Sequence, residues 1–143
     1  MTKLHETKLQ KEEERKFAKE FAEKFGGSMC ELPFTYKLDY YWERENKPDR
    51  WIEIKRTTYE STLPELMCGL VKLQAANSLY ATTGYKSFLI YICPDKTVAT
   101  PITNLVADED FRIWFWGRED RHKEPQVMIP NAKFKELEET FGD

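Results

Sequence analysis

In the stretch Trp51-Ile52-Glu53-Ile54-Lys55 an acid and a base stand two residues apart within an alternating apolar run. If the run is a strand, Ile52 and Ile54 point to one face and Trp51, Glu53 and Lys55 to the other, because side chains alternate with period two. Asp39 lies on the strand before it, so pairing of the two strands would bring a second carboxylate alongside. Two carboxylates supply the hard oxygen ligands that Mg²⁺ requires. An adjacent ammonium can orient or deprotonate a water, or neutralise charge developing on a phosphate.

A Glu-x-Lys triplet is common, and this chain has others at Glu6 to Lys8, Glu14 to Lys16 and Glu45 to Lys47. Only Glu53 to Lys55 sits in an apolar alternating strand with an Asp on the strand before it. Taken alone the triplet reads as an edge-strand ion pair of little value. Two further residues shift the balance. On a helical wheel of about 100° per residue, Glu14 falls in line with the apolar stripe Phe17, Ala18, Phe21, Ala22 and Phe25, whereas Glu12 and Glu13 fall off it. An acid on a buried face is costly unless it is paired or bound to a cation. Gln74 likewise continues the stripe Leu63, Leu66, Met67, Leu70 and Val71 of a second helix, where a Leu would be expected.

The elements that would position these residues follow from local signals. Residues 3–25 are rich in Lys, Glu and Ala and stop at Gly26-Gly27, which predicts a helix with a glycine cap. Strands are expected at 28–35, 37–42 and 51–56, the last two separated by a polar turn. A helix is expected over 64–83, ending at Gly84. The nearly all-apolar run 88–93 reads as a buried central strand. Strand, helix and buried strand in that order place 51–56 parallel to 88–93. Short strands at 97–100, 111–116 and 126–129, an exposed loop at 118–125 and a terminal helix over 131–141 complete an α/β chain of order α-β-β-β-α-β.

The chain has 143 residues, a length that fits a single domain over 1–143, and 41% hydrophobic and 14% aromatic residues exclude a disordered chain. No apolar run approaches the length of a membrane span, and the N-terminus is polar where a signal peptide would be apolar. A soluble, cytoplasmic protein is therefore expected. Cys30, Cys68 and Cys93 are widely spaced and form no CxxC pair, so buried thiols are expected rather than disulfides or zinc. With 22 basic and 25 acidic residues the net charge is −3, which leaves any nucleic-acid contact to local features or to metal ions. Aromatic and basic residues interleave at Tyr36-Lys37, Tyr40-Tyr41-Trp42, Arg44, Lys47, Arg50-Trp51 and Arg56, a composition suited to stacking on bases and gripping phosphates, or to packing.

A helix with an acid, an Asp on a strand, Glu-x-Lys on the next strand, a crossover helix and a buried strand together resemble the PD-(D/E)XK nuclease superfamily, over roughly residues 10–93. The small members typified by archaeal Holliday-junction resolvases and phage endonucleases are the most similar. Leu38 stands where the motif often has Pro. The resemblance implies a restriction-endonuclease-like core: a mixed central sheet flanked by helices. It also implies hydrolysis of DNA phosphodiester bonds with Mg²⁺ or Mn²⁺, branched DNA as a substrate, and a homodimer. By the same pattern Asp39, Glu53, Lys55, Glu14 and Gln74 are the catalytic candidates. Asp39, Glu53, Glu14 and Ile54 are the metal candidates. The rival expectation is a non-catalytic module that keeps the scaffold and binds nucleic acid or protein. Dependence on a metal separates the two.

Overall fold

The structure, a computed structural model, describes residues 8–116 and 124–142. Lys8–Phe25 forms helix α1, with Ala18 and Phe21 buried, and the chain leaves it through Gly26 and Gly27, both at positive φ. Gly27 also lies so close to the backbone at Glu43 that a Cβ would sit 2.3 Å from the Glu43 carbonyl oxygen, so only glycine fits this exit.

Strands β1 (Ser28–Glu31), β2 (Tyr40–Glu43) and β3 (Arg50–Arg56) follow as antiparallel neighbours. The first two are shorter than expected. Pro33 lacks the N–H a strand would use, a 3₁₀ turn occupies Phe34–Tyr36, and Lys37 takes a φ of 68°, so residues 32–39 form a bend instead of continuing the ladder. β3 runs parallel to β5 (Ser87–Ile92), in register from Trp51 opposite Ser87 to Arg56 opposite Ile92, as the order of elements predicted. β6 (Thr97–Pro101) and the two-residue β9 (Lys135–Glu136) close a six-stranded mixed sheet of order β1-β2-β3-β5-β6-β9.

The expected helix over 64–83 is corrected at its start. Glu65–Gly69 is strand β4 and helix α2 spans only Leu70–Thr83. Leu66 and Cys68, two residues apart, are both buried and pack with Val127 and Ile129. That is a strand's period, and it competes successfully with the helical stripe because β8 (Glu124–Pro130) supplies backbone partners along all of β4. β8 also pairs with β7 (Arg112–Trp116), giving a second, three-stranded antiparallel sheet of order β4-β8-β7. The expected terminal helix breaks into a 3₁₀ turn, β9 and the short helix α3 (Leu137–Phe141). Of the loop expected at 118–125, residues 118–123 lie outside the described residues, as do helix positions 3–7; 124–125 belong to β8.

The six-stranded sheet separates two cores. On one side α1 and α3 cover Tyr40, Trp42, Ile52, Ile54, Phe88 and Ile90. Phe21, Trp42 and Phe141 meet there edge-on, with ring centroids 4.9–5.6 Å apart. On the other side α2 and the small sheet cover Leu89, Tyr91, Val98 and Ile102. Cys68 and Cys93 are buried as expected, but Cys30, on the edge strand β1, is exposed. None of the described helices is long and apolar enough to cross a membrane.

Candidate active site

Because Ile52 and Ile54 join the α1-side core, β3 turns Glu53 and Lys55 toward the side of α2 and the small sheet, where their register partners Leu89 and Tyr91 also lie. Asp39 reaches the same place from just before β2. Its backbone N–H donates to the Ile52 carbonyl at 3.1 Å, and its Oδ2 accepts from the Ile54 N–H at 2.8 Å. A carboxylate thus takes over from the backbone at the end of the β2–β3 ladder, and this fixes Asp39 against β3 beside Glu53.

Glu53 is 8% exposed. Its Oε2 lies 3.2 Å from the Lys72 ammonium, while its Oε1 is buried with no hydrogen-bond partner. Burial, and then the Asp39 carboxylate, push the Glu53 carboxyl well above the usual range, and Lys72 offsets only part of this. The Lys55 ammonium is held elsewhere: it donates to the Met67 carbonyl on β4 at 3.2 Å, an oxygen that also accepts from Tyr91 Oη at 2.9 Å. Burial draws the Lys55 pKa down, which makes this ammonium a readier proton donor. Cys68 stands nearby, but burial and then Glu53 push its thiol up to about 12, so it remains protonated and is no nucleophile at neutral pH.

These groups line a cleft of about 590 Å³ whose walls also carry Glu14, Gln126 and the lysines Lys11, Lys37 and Lys72. The lining carries four lysines against three acids, where the chain as a whole is weakly acidic. Helical geometry separated Glu14 from its neighbours, and the structure does too. The Glu14 side chain is 12% exposed in the cleft wall, 3.2 Å from Lys11, whereas Glu13 is 43% exposed and faces Arg56.

The cluster is nevertheless smaller than expected. Among the described residues no three of His, Cys, Asp and Glu come close enough to hold a metal together, so Glu14 is not a third member of the Asp39–Glu53 pair. Ile54 contributes its N–H to Asp39 while its side chain packs in the core. Gln74 is exposed and does not line the cleft. The stripe that pointed to it does not exist, because its first members belong to β4 or precede it. Lys72, two residues earlier, is the α2 side chain that reaches Glu53. Gln126 was also missed: nothing local marks a residue of β8 as facing β3.

The interleaved aromatic and basic set is mostly packing. Tyr40, Trp42 and Trp51 are buried, and the Arg44 and Arg50 guanidiniums lie over the Trp42 ring. Of that set Lys37 lines the cleft.

The buried Glu53 carboxylate, one oxygen of which has no hydrogen-bond partner, and the half-buried Asp39 carboxylate beside it form a donor set suited to a hard divalent cation. A family model described as "Phage putative PDDEXK endonuclease" matches residues 1–137. The chain belongs to this family. It is a nuclease of the PD-(D/E)XK type. The fold is similar to that of Hjc, a Holliday junction resolvase from Archaeoglobus fulgidus, with a TM-score of 0.62 over 91% of this chain and 93% of that one, at 13% identity. The expected mixed sheet with flanking helices is the shared architecture. A second solved structure, SSO0001, overlaps 49% of this chain and 32% of its own at 24% identity, with a TM-score of 0.34. No curated protein matches in sequence.

Proposed function

We propose that this nuclease, as one domain spanning residues 1–143, hydrolyses DNA phosphodiester bonds with a divalent cation, Mg²⁺ or Mn²⁺, held by Asp39 and Glu53. The observation that carries the reading is Glu53 Oε1, a buried carboxylate oxygen without a hydrogen-bond partner beside a second carboxylate. Such an oxygen is costly unless something positive meets it. When bound, the ion would polarise a phosphoryl oxygen and make a water a stronger nucleophile near neutral pH.

The chain's own residues do the rest. Asp39, locked by the Ile54 N–H, gives the site a fixed edge. Lys55, held by the Met67 carbonyl and partly desolvated, is the proton-handling or charge-neutralising group near the scissile phosphate. Lys11 and Lys37 on the cleft walls suit neighbouring phosphates. Glu14 acts from outside the pair, through Lys11 and the field it adds. The free, buried thiols Cys68 and Cys93 fit a reducing compartment, in keeping with action in the cytoplasm.

The test is a cleavage assay on branched and linear DNA with Mg²⁺, with Mn²⁺ and with excess chelator. Cutting should vanish in chelator and return with either ion. Glu14→Gln should weaken Mn²⁺ affinity by about tenfold, the scale of outer-sphere partners, and Glu13→Gln should leave it unchanged. DNA binding without cutting under any metal condition would instead support the non-catalytic module.

Branched DNA is the proposed substrate because the fold is that of a protein named as a Holliday junction resolvase. Cutting both arms of a junction calls for two sites, and so for a homodimer. The edge strand β7 exposes Ile113 and Phe115 on one face and Trp114 on the other, an apolar edge suited to pairing with a second copy. Sedimentation at micromolar concentration should give a dimer for the wild type and a monomer for Trp114→Glu with Phe115→Lys. A wild-type monomer would remove the assembly from the proposal.

A further inference from the structure

Lys72 makes two contacts that do not belong to α2. Its ammonium lies 3.2 Å from Glu53 Oε2 and donates to the Lys37 carbonyl oxygen at 2.6 Å. It thereby ties the motif acid on β3 to the bend that carries Asp39. The motif lysine cannot fill this place, because Lys55 is committed to the Met67 carbonyl. Lys72 is also anchored at its root and partly exposed at its head. It is the third residue of α2, directly after the strand-to-helix junction at Gly69, and its side chain is 29% exposed at the cleft.

We propose that Lys72 is the resident counter-cation of this site: it holds Glu53 while no metal is bound, competes with the metal for that carboxylate, and is released on metal entry to meet a phosphate of the DNA. The inference rests on the metal-dependent nuclease reading above. An ammonium and a divalent ion repel one another strongly at the distances one carboxylate imposes, so the two cannot share Glu53 Oε2 without cost. Metal entry therefore frees a positive head group on a flexible stem inside a cleft already lined by Lys11 and Lys37. A phosphate is the partner for which such a head group is suited. If Lys72 were only a structural ion pair, its loss would lower stability and leave metal affinity unchanged. As a competitor it gives opposite signs: removing it tightens the metal and weakens the handling of DNA.

The test is titration calorimetry of the full chain with Mn²⁺ alone, comparing wild type with Lys72→Met and Lys72→Arg, followed by single-turnover cleavage of a labelled branched DNA at saturating Mn²⁺. Lys72→Met should bind Mn²⁺ about tenfold more tightly, corresponding to loss of one modest competing ion pair. It should show a larger Mn²⁺-induced rise in melting temperature, and cut about tenfold more slowly. Lys72→Arg, which keeps the charge, should bind Mn²⁺ like the wild type. If the wild type binds Mn²⁺ and cuts DNA while Lys72→Met binds Mn²⁺ no tighter, the counter-cation role is overturned and the nuclease reading stands. If neither protein binds Mn²⁺, both are overturned.

Discussion

Replacing Lys55 by methionine is expected to slow metal-supported cleavage by about 10²- to 10⁴-fold, the range for loss of a positioned proton-handling group, with little change in melting temperature. The second half of that statement comes from the packing. Methionine keeps the aliphatic stem beside Tyr91, and the Met67 carbonyl loses the Lys55 ammonium but retains the Tyr91 hydroxyl as donor. No buried acceptor is left empty, and a desolvated charge is removed. Asp39→Asn should produce a comparable loss, since the amide oxygen can still accept from the Ile54 N–H while the negative charge is gone. Single-turnover rates with parallel thermal melts decide the matter. Lys55→Met cutting at more than about a tenth of the wild-type rate would fall outside that range and take Lys55 out of the chemistry.

Glu53→Gln should stop cleavage and yet make the metal-free protein more stable at neutral pH. A carboxyl whose folded pKa is raised is protonated in both states below its unfolded value, so it costs nothing there. As pH rises through the folded value, the unfolded chain ionises more easily and stability is lost. Burial and Asp39 raise Glu53 in this way, and glutamine has no charge to desolvate. The expected gain is about 1–3 kcal/mol near pH 7–8, or roughly 3–10 °C in melting temperature, shrinking toward zero near pH 4. Mn²⁺ should raise the melting temperature of the wild type and not of the variant if, as proposed, the ion is held through Glu53. A variant less stable than the wild type at pH 8 without metal would mean that the Lys72 pair outweighs the desolvation of Glu53.

The parts of the site carried by strong local periodicity were legible in the chain. The alternation through Trp51 to Lys55 put Glu53 and Lys55 on one face. The wheel distinguished Glu14 from Glu12 and Glu13, and the strand-helix-strand order gave the parallel pairing of β3 with β5. What stayed hidden depends on partners distant in sequence. Residues 63–71 fit a helical stripe and a strand's alternation at once, and the strand prevails because β8, some sixty residues later, meets it along its length. Gly69, poor inside a helix, was the one local signal that the helix begins after it. A helix begun at 64 puts Gln74 on the buried stripe, whereas the helix that begins at Leu70 turns Lys72 to Glu53 and leaves Gln74 exposed.

The dependence of Lys55 on Met67 has a consequence for the order in which the molecule becomes competent. Every motif residue lies before residue 94, yet β4, whose carbonyl holds the lysine, finds its strand partner only in β8. A growing chain that has released β3, α2 and β5 therefore carries the full signature with one wall of the cleft unpaired. On the proposed reading, a chain that stops short of β8 keeps Asp39, Glu53 and Lys55 but leaves the carbonyl that holds the lysine on an unpaired strand.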